Sequence, residues 1–182
     1  MTQVAKPTLD DIRRAAEAIK GHVVRTPFVS APRLAKQLGL ASLRIKLENQ
    51  QFTGSFKDRG SYYKLRNLTP EEAKRGVIAM SAGNHAQGVA YHAQRLGIPA
   101  TIVMPEGTPF TKIERTASFG PRVILNGDSI DAAAVYAREL AAKENLIFVH
   151  PYDDPYIVAG QGTIGLEILE DDPELDFLVI PI

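Results

Sequence analysis

The sequence predicts an α/β protein in which parallel, twisted sheets are flanked by helices. Short apolar runs of strand character recur in the middle of the chain, at residues 77–80, 101–104, 123–125 and 146–149. Helical patterns begin near Asn84, Thr111 and Ser129, so strands and helices alternate. Glycine and proline residues mark the joints between them. Consecutive βαβ units of this kind bury their strands in a parallel sheet that helices cover.

Three elements are predicted near the start of the chain. Thr8 and Asp11 have the spacing of a capping box and predict a helix over residues 8–20. A shorter helix is predicted over residues 30–39, with a proline in its first turn. Residues 43–47 alternate apolar and basic side chains, as an edge or half-buried strand does.

Three more features are predicted near the end of the chain. Residues 151–155, Pro-Tyr-Asp-Asp-Pro, form a turn cluster that we expect to mark a crossing between domains. A helix over residues 156–170 and a buried strand over residues 177–182 should follow. We therefore expect an incomplete larger domain and a complete small βα domain. The larger domain is predicted to comprise residues 1–60 and 156–182, and the small domain residues 61–155.

Composition narrows the class of protein. The 182 residues include 21 basic and 21 acidic side chains, a balance that does not favour nucleic acid or an acidic membrane surface as a partner. The absence of cysteine excludes disulfides and a thiolate nucleophile, and the scattered histidines lack the spacing of a metal site. No apolar run approaches the length of a membrane span, and the first residues lack an apolar signal core. We expect a cytoplasmic protein without a bound metal.

The loop at residues 51–60, Gln-Phe-Thr-Gly-Ser-Phe-Lys-Asp-Arg-Gly, is predicted to place Lys57 in the first turn of a helix. Ser55 is the best candidate for the N-cap of that helix. The positive end of a helix dipole disfavours a cation by about 0.3–1 kcal/mol, which favours the neutral, nucleophilic amine. Taken alone, Lys57 is also consistent with a solvated lysine beside Asp58 and Arg59, so a second loop has to decide between the two interpretations.

That second loop comprises residues 81–88, Ser-Ala-Gly-Asn-His-Ala-Gln-Gly, and it connects a predicted strand to a predicted helix. A glycine-containing turn that opens a helix exposes several backbone N–H groups at the positive end of the helix dipole. Such a turn forms an anion site that would suit a substrate carboxylate. The alternative is an ordinary strand-to-helix connection with Asn84 as a cap.

Together the two loops resemble those of the pyridoxal-phosphate enzymes of the tryptophan synthase β-like fold type. Within that group the chain is most similar to the serine/threonine dehydratases, also called threonine ammonia-lyases. The resemblance rests on residues 53–60, on residues 81–88, and on residues 151–155 followed by Ala-Gly-Gln-Gly-Thr-Ile-Gly at residues 159–165. It extends from about residue 12 to residue 182.

The resemblance implies a role for each site residue. Lys57 would bind the cofactor pyridoxal 5'-phosphate covalently and then act as the base that removes the α-proton of an amino acid. Asn84 would hydrogen-bond the ring hydroxyl of the cofactor, and Phe56 would pack beside its ring. The residues implied in binding the substrate are Ser55, Ser81, Ala82, Gly83 and His85.

The implied reaction converts L-threonine, and secondarily L-serine, into a 2-oxo acid and ammonia, which would place the protein in amino-acid metabolism such as isoleucine biosynthesis. Serine racemases of this pattern have a serine where this chain has Ala82, and the missing hydroxyl favours elimination over racemisation. Two alternatives stay open. One is a catalytically inactive folded fragment or scaffold, and the other is a related pyridoxal-phosphate enzyme that catalyses β- or γ-replacement.

The resemblance also implies a longer protein. Enzymes of this group continue after the last predicted strand with a glycine-rich loop that binds the cofactor phosphate, and this sequence does not contain that loop. We therefore expect an N-terminal fragment, with an incomplete cofactor-binding domain. Its expected partners are an amino-acid substrate and either further copies of itself or a complementing C-terminal half.

Overall fold

The computed structural model describes residues 6–180. Its helices are α1 (Leu9–Ile19), α2 (Pro32–Gln37), α3 (Lys57–Arg66), α4 (Pro70–Arg75), α5 (Asn84–Leu96), α6 (Phe110–Ala117), α7 (Ile130–Glu144) and α8 (Pro155–Asp171). Its strands are β1 (Phe28–Ser30), β2 (Arg44–Lys46), β3 (Val77–Met80), β4 (Ala100–Met104), β5 (Arg122–Leu125) and β6 (Ile147–Phe148). None of the helices within this range combines the length and apolar character needed to cross a membrane.

Four strands form a parallel sheet in the order β5-β4-β3-β6, which confirms the predicted α/β class. The chain moves outward from β3 to β4 and β5, and then returns to place β6 on the other side of β3. The carboxyl ends of β3 and β6 therefore form the point at which the strand order reverses. In open α/β sheets, ligands bind in the crevice at this point.

The two faces of the sheet are covered by different helices. Val77, Ala79 and Ile102 belong to one buried cluster, which also contains residues of α5. Ile78 and Val103 belong to a second cluster, which contains residues of α7. Neighbouring strand residues point to opposite faces, so this division follows from the apolar runs themselves.

Helix α3, which begins at Lys57, packs closely between α5 and α8. A Cβ atom added to Gly88 of α5 would lie 2.9 Å from Ser61 Oγ and 3.3 Å from the carbonyl oxygen of Lys57. A Cβ atom added to Gly160 of α8 would lie 2.6 Å from the Cα atom of Gly60. The glycines on both sides therefore let neighbouring backbones approach α3 without an intervening side chain.

The start of the chain agrees with the sequence pattern in part. Thr8 caps α1 through the predicted capping box with Asp11. The strand predicted over residues 43–47 is present as β2, and it pairs with β1 in an antiparallel ladder, with Val29 opposite Ile45. Strand β1 and helix α4 were not predicted. The proposed division into a small and a larger domain stays a prediction.

The strand predicted over residues 177–182 is wrong for residues 177–180, which form no regular element. Residues 181 and 182 lie outside the described range. Phe177 and Val179 are 87% and 90% exposed, and no described strand pairs with this segment. An apolar run becomes a strand only where a neighbouring strand satisfies its backbone groups, and residues 6–180 supply none here.

Candidate active site

The candidate site lies where the strand order reverses, between the segments that follow β3 and β6. The loop that begins at Ser81 follows β3, and residues 149–151 follow β6. The side chain of Lys57 reaches the second of these segments. The structure therefore connects the lysine loop with the turn cluster that begins at Pro151.

Lys57 is the first residue of α3, and its side chain is partly buried. Its Nζ atom donates a hydrogen bond to the Pro151 carbonyl oxygen at 2.7 Å and lies 5.1 Å from the centre of the Phe56 ring. Burial lowers the pKa of Lys57 below its ordinary value of 10.5, and no carboxylate of the described residues offsets this effect. Because a neutral carbonyl compensates weakly for burial of a cation, these surroundings favour the unprotonated, nucleophilic amine.

Ser55 is not the N-cap of α3, so that prediction was wrong. The residue before the helix is Phe56, whose φ of −58° and ψ of −14° already belong to the helical region. Ser55 is buried, and its Oγ atom accepts the backbone N–H of Lys57 at 3.2 Å. The Ser55 hydroxyl therefore still binds the N–H two residues on, as a capping serine does, but the helix begins one residue later than that role requires.

His85 is buried at the start of α5, and its Nε2 atom lies 3.1 Å from the Val149 carbonyl oxygen. Because a carbonyl oxygen can only accept, Nε2 carries the proton of the ring. The Nδ1 atom has no hydrogen-bond partner among the described residues and is left as an acceptor. Burial lowers the pKa of His85 to about 4, so its ring is neutral at pH 7.

The first part of the 81–88 loop uses some of its own donors. The N–H of Ser81 binds the Val103 carbonyl oxygen at 3.1 Å, and the N–H of Gly83 binds Ser81 Oγ at 3.1 Å. Ala82 is partly exposed between them. Gly83 is the N-cap of α5, so the alternative with Asn84 as the cap is not what the structure shows.

Asn84 is exposed at the mouth of a pocket of about 370 Å³ between α5 and α6. The pocket is lined by Gly83, Asn84, Gln87, Thr111, Lys112 and Arg115. The first turn of α5 presents backbone N–H groups there, and α6 contributes two cationic side chains. The pocket can therefore bind an anion such as a carboxylate. Lys57 does not belong to its described lining.

Asp58 and Arg59, directly after the lysine, are fully buried. Asp58 accepts hydrogen bonds from both the N–H, at 3.0 Å, and the hydroxyl of Thr53. Arg59 pairs with Glu48 at 2.8 Å and with Glu167 at 2.6 Å. These contacts give Asp58 and Arg59 structural roles, and no sequence pattern indicated their partners.

The fold and this site define a class of protein: an α/β protein with a partly buried lysine amine of lowered pKa and a helix start that can bind an anion. Comparison with known proteins narrows the class. Residues 19–182 match the family model described as "Pyridoxal-phosphate dependent enzyme". The chain therefore belongs to the family of pyridoxal-phosphate dependent enzymes.

Curated relatives of the chain are named as threonine ammonia-lyases or threonine dehydratases. The chain is 50% identical over 175 residues to the L-threonine ammonia-lyase of Thermotoga maritima, covering 96% of this chain and 43% of that protein. It is 47% identical over 175 residues to the catabolic L-threonine dehydratase TdcB of Staphylococcus aureus, covering 96% and 51%. The chain thus spans about half the length of the curated relatives it matches.

Solved structures confirm the fold of the tryptophan synthase β-like enzymes. Maize serine racemase superposes with a TM-score of 0.89 at 35% identity, covering 94% of this chain and 52% of that chain. The processed form of threonine deaminase isoform 2 from Solanum lycopersicum superposes with a TM-score of 0.81 at 40% identity, covering 92% and 47%. The predicted resemblance is confirmed at the level of family, fold and cofactor.

The residues of the site fit pyridoxal phosphate by their chemistry. Its aldehyde requires an amine that is readily deprotonated, and Lys57 has a lowered pKa and, within residues 6–180, hydrogen-bonds only a carbonyl oxygen. The buried Nδ1 atom of His85, which lacks a partner within residues 6–180, can accept a hydrogen bond from a bound molecule. Lys57 would hold the cofactor, and the start of α5 would contact it.

Proposed function

We propose that this chain carries the reactive lysine of an L-threonine ammonia-lyase, which converts L-threonine, and also L-serine, into a 2-oxo acid and ammonia. The observation that carries the proposal is the Lys57 amine, partly buried where the strand order reverses and hydrogen-bonded only to the Pro151 carbonyl among the described groups. The 50% identity with the Thermotoga maritima L-threonine ammonia-lyase supports the choice of substrate.

Pyridoxal phosphate supplies an aldehyde that bonds to amines and a ring that makes the α-proton of an amino acid acidic. The proposed role of Lys57 is to hold the cofactor through Nζ and then to take the α-proton of the substrate at the same atom. The lowered pKa of Lys57 supports both tasks, because each requires a free electron pair on the amine. Phe56 would pack beside the cofactor ring, and Asn84 would donate to its hydroxyl.

The substrate carboxylate is proposed to bind at the start of α5. The N–H of Gly83 already binds Ser81 Oγ, and Nε2 of His85 already binds Val149. The donors left for a carboxylate are therefore the hydroxyl proton of Ser81 and the backbone N–H groups of the first helical turn, including that of His85. Ser55 and Ala82 complete the set of residues proposed to bind the substrate.

Racemisation of serine is the second candidate, favoured by the similarity to maize serine racemase. Racemisation requires a proton donor on the face of the α-carbon opposite to the base. The resemblance implies that a serine at position 82 is this donor in serine racemases, and Ala82 has no hydroxyl, which is why we place elimination first. The scaffold and the β- or γ-replacement alternatives predict no ammonia release from threonine alone.

The test is an assay of ammonia and 2-oxobutanoate released from L-threonine with added pyridoxal phosphate. It is run on the chain alone and on the chain mixed with a separately produced C-terminal half of a relative. We expect release at least in the mixture, and no release with Lys57→Ala, which lacks the base. A mixture that binds the cofactor and releases no ammonia would contradict the proposal, and D-serine formed from L-serine would favour racemisation.

Three further properties of such an enzyme stay predictions. They are a cytoplasmic location, assembly into a homo-oligomer or with a complementing half, and a role in isoleucine biosynthesis. Each of these properties belongs to a whole protein. The curated relatives are about twice as long as this chain.

A further inference from the structure

Residues 149–151 contact both loops of the site. The carbonyl oxygen of Val149 accepts from His85 Nε2 at 3.1 Å, and the carbonyl oxygen of Pro151 accepts from Lys57 Nζ at 2.7 Å. Val149 is itself fixed, because it is fully buried and its N–H binds Ile78 in β3 at 2.8 Å. The position of the Pro151 carbonyl therefore depends on what holds the chain after Val149.

The side chain of His150 holds that part of the chain. Its Nδ1 atom accepts the backbone N–H of Asp153 at 2.8 Å and, more weakly, that of Tyr152 at 3.3 Å. The ring also packs against the Tyr152 ring, with centroids 4.6 Å apart. Pro151 lies between the accepting ring and the two amides, so the bonds of His150 close a turn around the carbonyl that binds Lys57.

Both hydrogen bonds require an unprotonated Nδ1 atom, because a protonated imidazole has no acceptor. Burial lowers the pKa of His150 below its ordinary value of 6.5. The charged groups that face the ring are Asp153 and Asp154, which raise this pKa, and Arg138 and Lys57, which lower it. The ring of Phe148 lies 6.2 Å away and carries no charge.

We propose that His150 is a positioning residue for Lys57: its neutral ring closes the turn at residues 150–153 and so aims the Pro151 carbonyl at the lysine amine. Protonation of His150 removes the acceptor for two backbone amides, opens the turn and releases the amine from its partner. The importance of this device for catalysis rests on the proposed role of Lys57. The geometry of the turn does not depend on that role.

The amine itself can report on the turn. Acetic anhydride acetylates unprotonated, accessible lysine amines, and mass spectrometry of peptides gives the rate at each lysine. The rate at Lys57 is divided by the rate at Lys74, an exposed lysine on α4, in the same sample. No cofactor or substrate is present, so this test can fail while the proposed activity holds, and the activity assay can fail while this test succeeds.

Two variants separate the hydrogen bond from a general role in folding. His150→Ala removes the acceptor, and we expect the relative rate at Lys57 to rise about tenfold at pH 8, the upper end of the scale for one lost hydrogen bond. His150→Asn places an amide oxygen at a similar distance from the backbone, where it can accept the same N–H groups at any pH. We expect its relative rate to lie within about twofold of the original chain.

The pH profile supplies the final comparison. As the pH falls through the folded-state pKa of His150, which burial places below the ordinary 6.5, the rate at Lys57 in the original chain should rise relative to that in His150→Asn. If His150→Ala does not fold, the ratio of the Lys57 rate in the original chain to that in His150→Asn is sufficient to test the proposal. Equal rates in His150→Ala and the original chain, a His150→Asn variant as reactive as His150→Ala, or a ratio that is flat with pH would each overturn the proposal.

Discussion

Two cations in the same helical turn, Lys57 and Arg59, have opposite surroundings. Arg59 is fully buried and meets two carboxylates, from Glu48 and Glu167. Lys57 is partly buried and meets one neutral carbonyl. Pairing makes a buried charge part of the structure, whereas burial without a carboxylate makes an amine reactive. The difference in partners, rather than in residue type, is why we propose a catalytic role for Lys57 and a structural role for Arg59.

The largest effect on stability should come from replacing Arg59, the residue that is paired with carboxylates. Arg59→Met leaves Glu48 and Glu167 without their shared partner, and we expect a loss of about 3–5 kcal/mol in the free energy of unfolding. Urea denaturation measures the loss. The control is Arg13→Met, which removes a solvent-exposed pair with Asp10 and should cost less than about 1 kcal/mol. Equal stability of the two variants would contradict the structural role of Arg59.

The packing that holds both cations in place can be tested at Gly160. A Cβ atom there would lie 2.6 Å from Gly60 Cα and 2.9 Å from the Arg59 carbonyl oxygen. Because both contacts are with backbone atoms, we expect Gly160→Ala to lower the free energy of unfolding by about 2–3 kcal/mol. Gly165→Ala is the matched control in the same helix.

At Gly165 an added Cβ atom meets nothing within 4 Å, so alanine should stabilise α8 by about 0.5–1 kcal/mol. Opposite signs for the two glycines, measured by urea denaturation, are the expected result. Two variants of the same sign would show that α8 does not pack on α3 as described.

Acid should lower the free energy of unfolding through His85, which is buried in the same site as Lys57. The folded pKa of His85, about 4, is below its ordinary value of 6.5, so the unfolded chain binds more protons as the pH falls through 6.5. The stabilisation from the neutral His85 ring is fully present above pH 6.5. Lowering the pH to 5 removes about 2 kcal/mol of it from the free energy of unfolding. His85→Gln keeps a donor for Val149 and cannot titrate. Between pH 7 and pH 5 the free energy of unfolding of His85→Gln should therefore fall by about 2 kcal/mol less than that of the original chain.

His92 provides the background for this measurement, because burial lowers its pKa to about 3 and it is unchanged in both proteins. Denaturation curves at the two pH values, for the original chain and for His85→Gln, give the difference directly. An identical loss in both would mean that His85 is not buried as a neutral ring.

The smallest effect on stability is expected at Lys57 itself. Lys57→Met replaces an amine that is costly to bury with an apolar chain of similar length, so the free energy of unfolding should change by less than about 1 kcal/mol at pH 7. Because the folded pKa of Lys57 is lowered, the original chain should gain stability relative to Lys57→Met as the pH rises towards 10.5. A large loss at pH 7 would place Lys57 with Arg59 among the structural cations.

Local patterns were sufficient to predict the parallel sheet and the helix that begins at Lys57. The apolar runs and glycine turns that specify these elements lie within a few residues of one another. Strand β1 is the short run Phe-Val-Ser, which lacks the alternation of apolar and basic residues that predicted β2, so no periodicity predicts it. The error at residues 177–180 has the opposite cause, since an apolar run was present but no described strand pairs with it.

The partners that define the site could not be predicted, because they are distant in the chain. Pro151 is 94 residues from Lys57, and Glu167 is 108 residues from Arg59. The sequence showed only a lysine, an aspartate and an arginine in a row, which is also the pattern of a solvated surface. The role proposed for Lys57 comes from the resemblance to a family, and the structure shows the contacts that distinguish this lysine from its neighbours.

The glycines at positions 60, 88 and 160 have a consequence for motion at the lysine. Because neighbouring backbones touch α3 on two sides, the helix cannot tilt or slide unless α5 and α8 move with it. If the Lys57 amine is to contact different atoms in turn, it must therefore move by rotation about the bonds of its own side chain. Long reach and rotational freedom make a lysine suitable for that task on a closely packed helix.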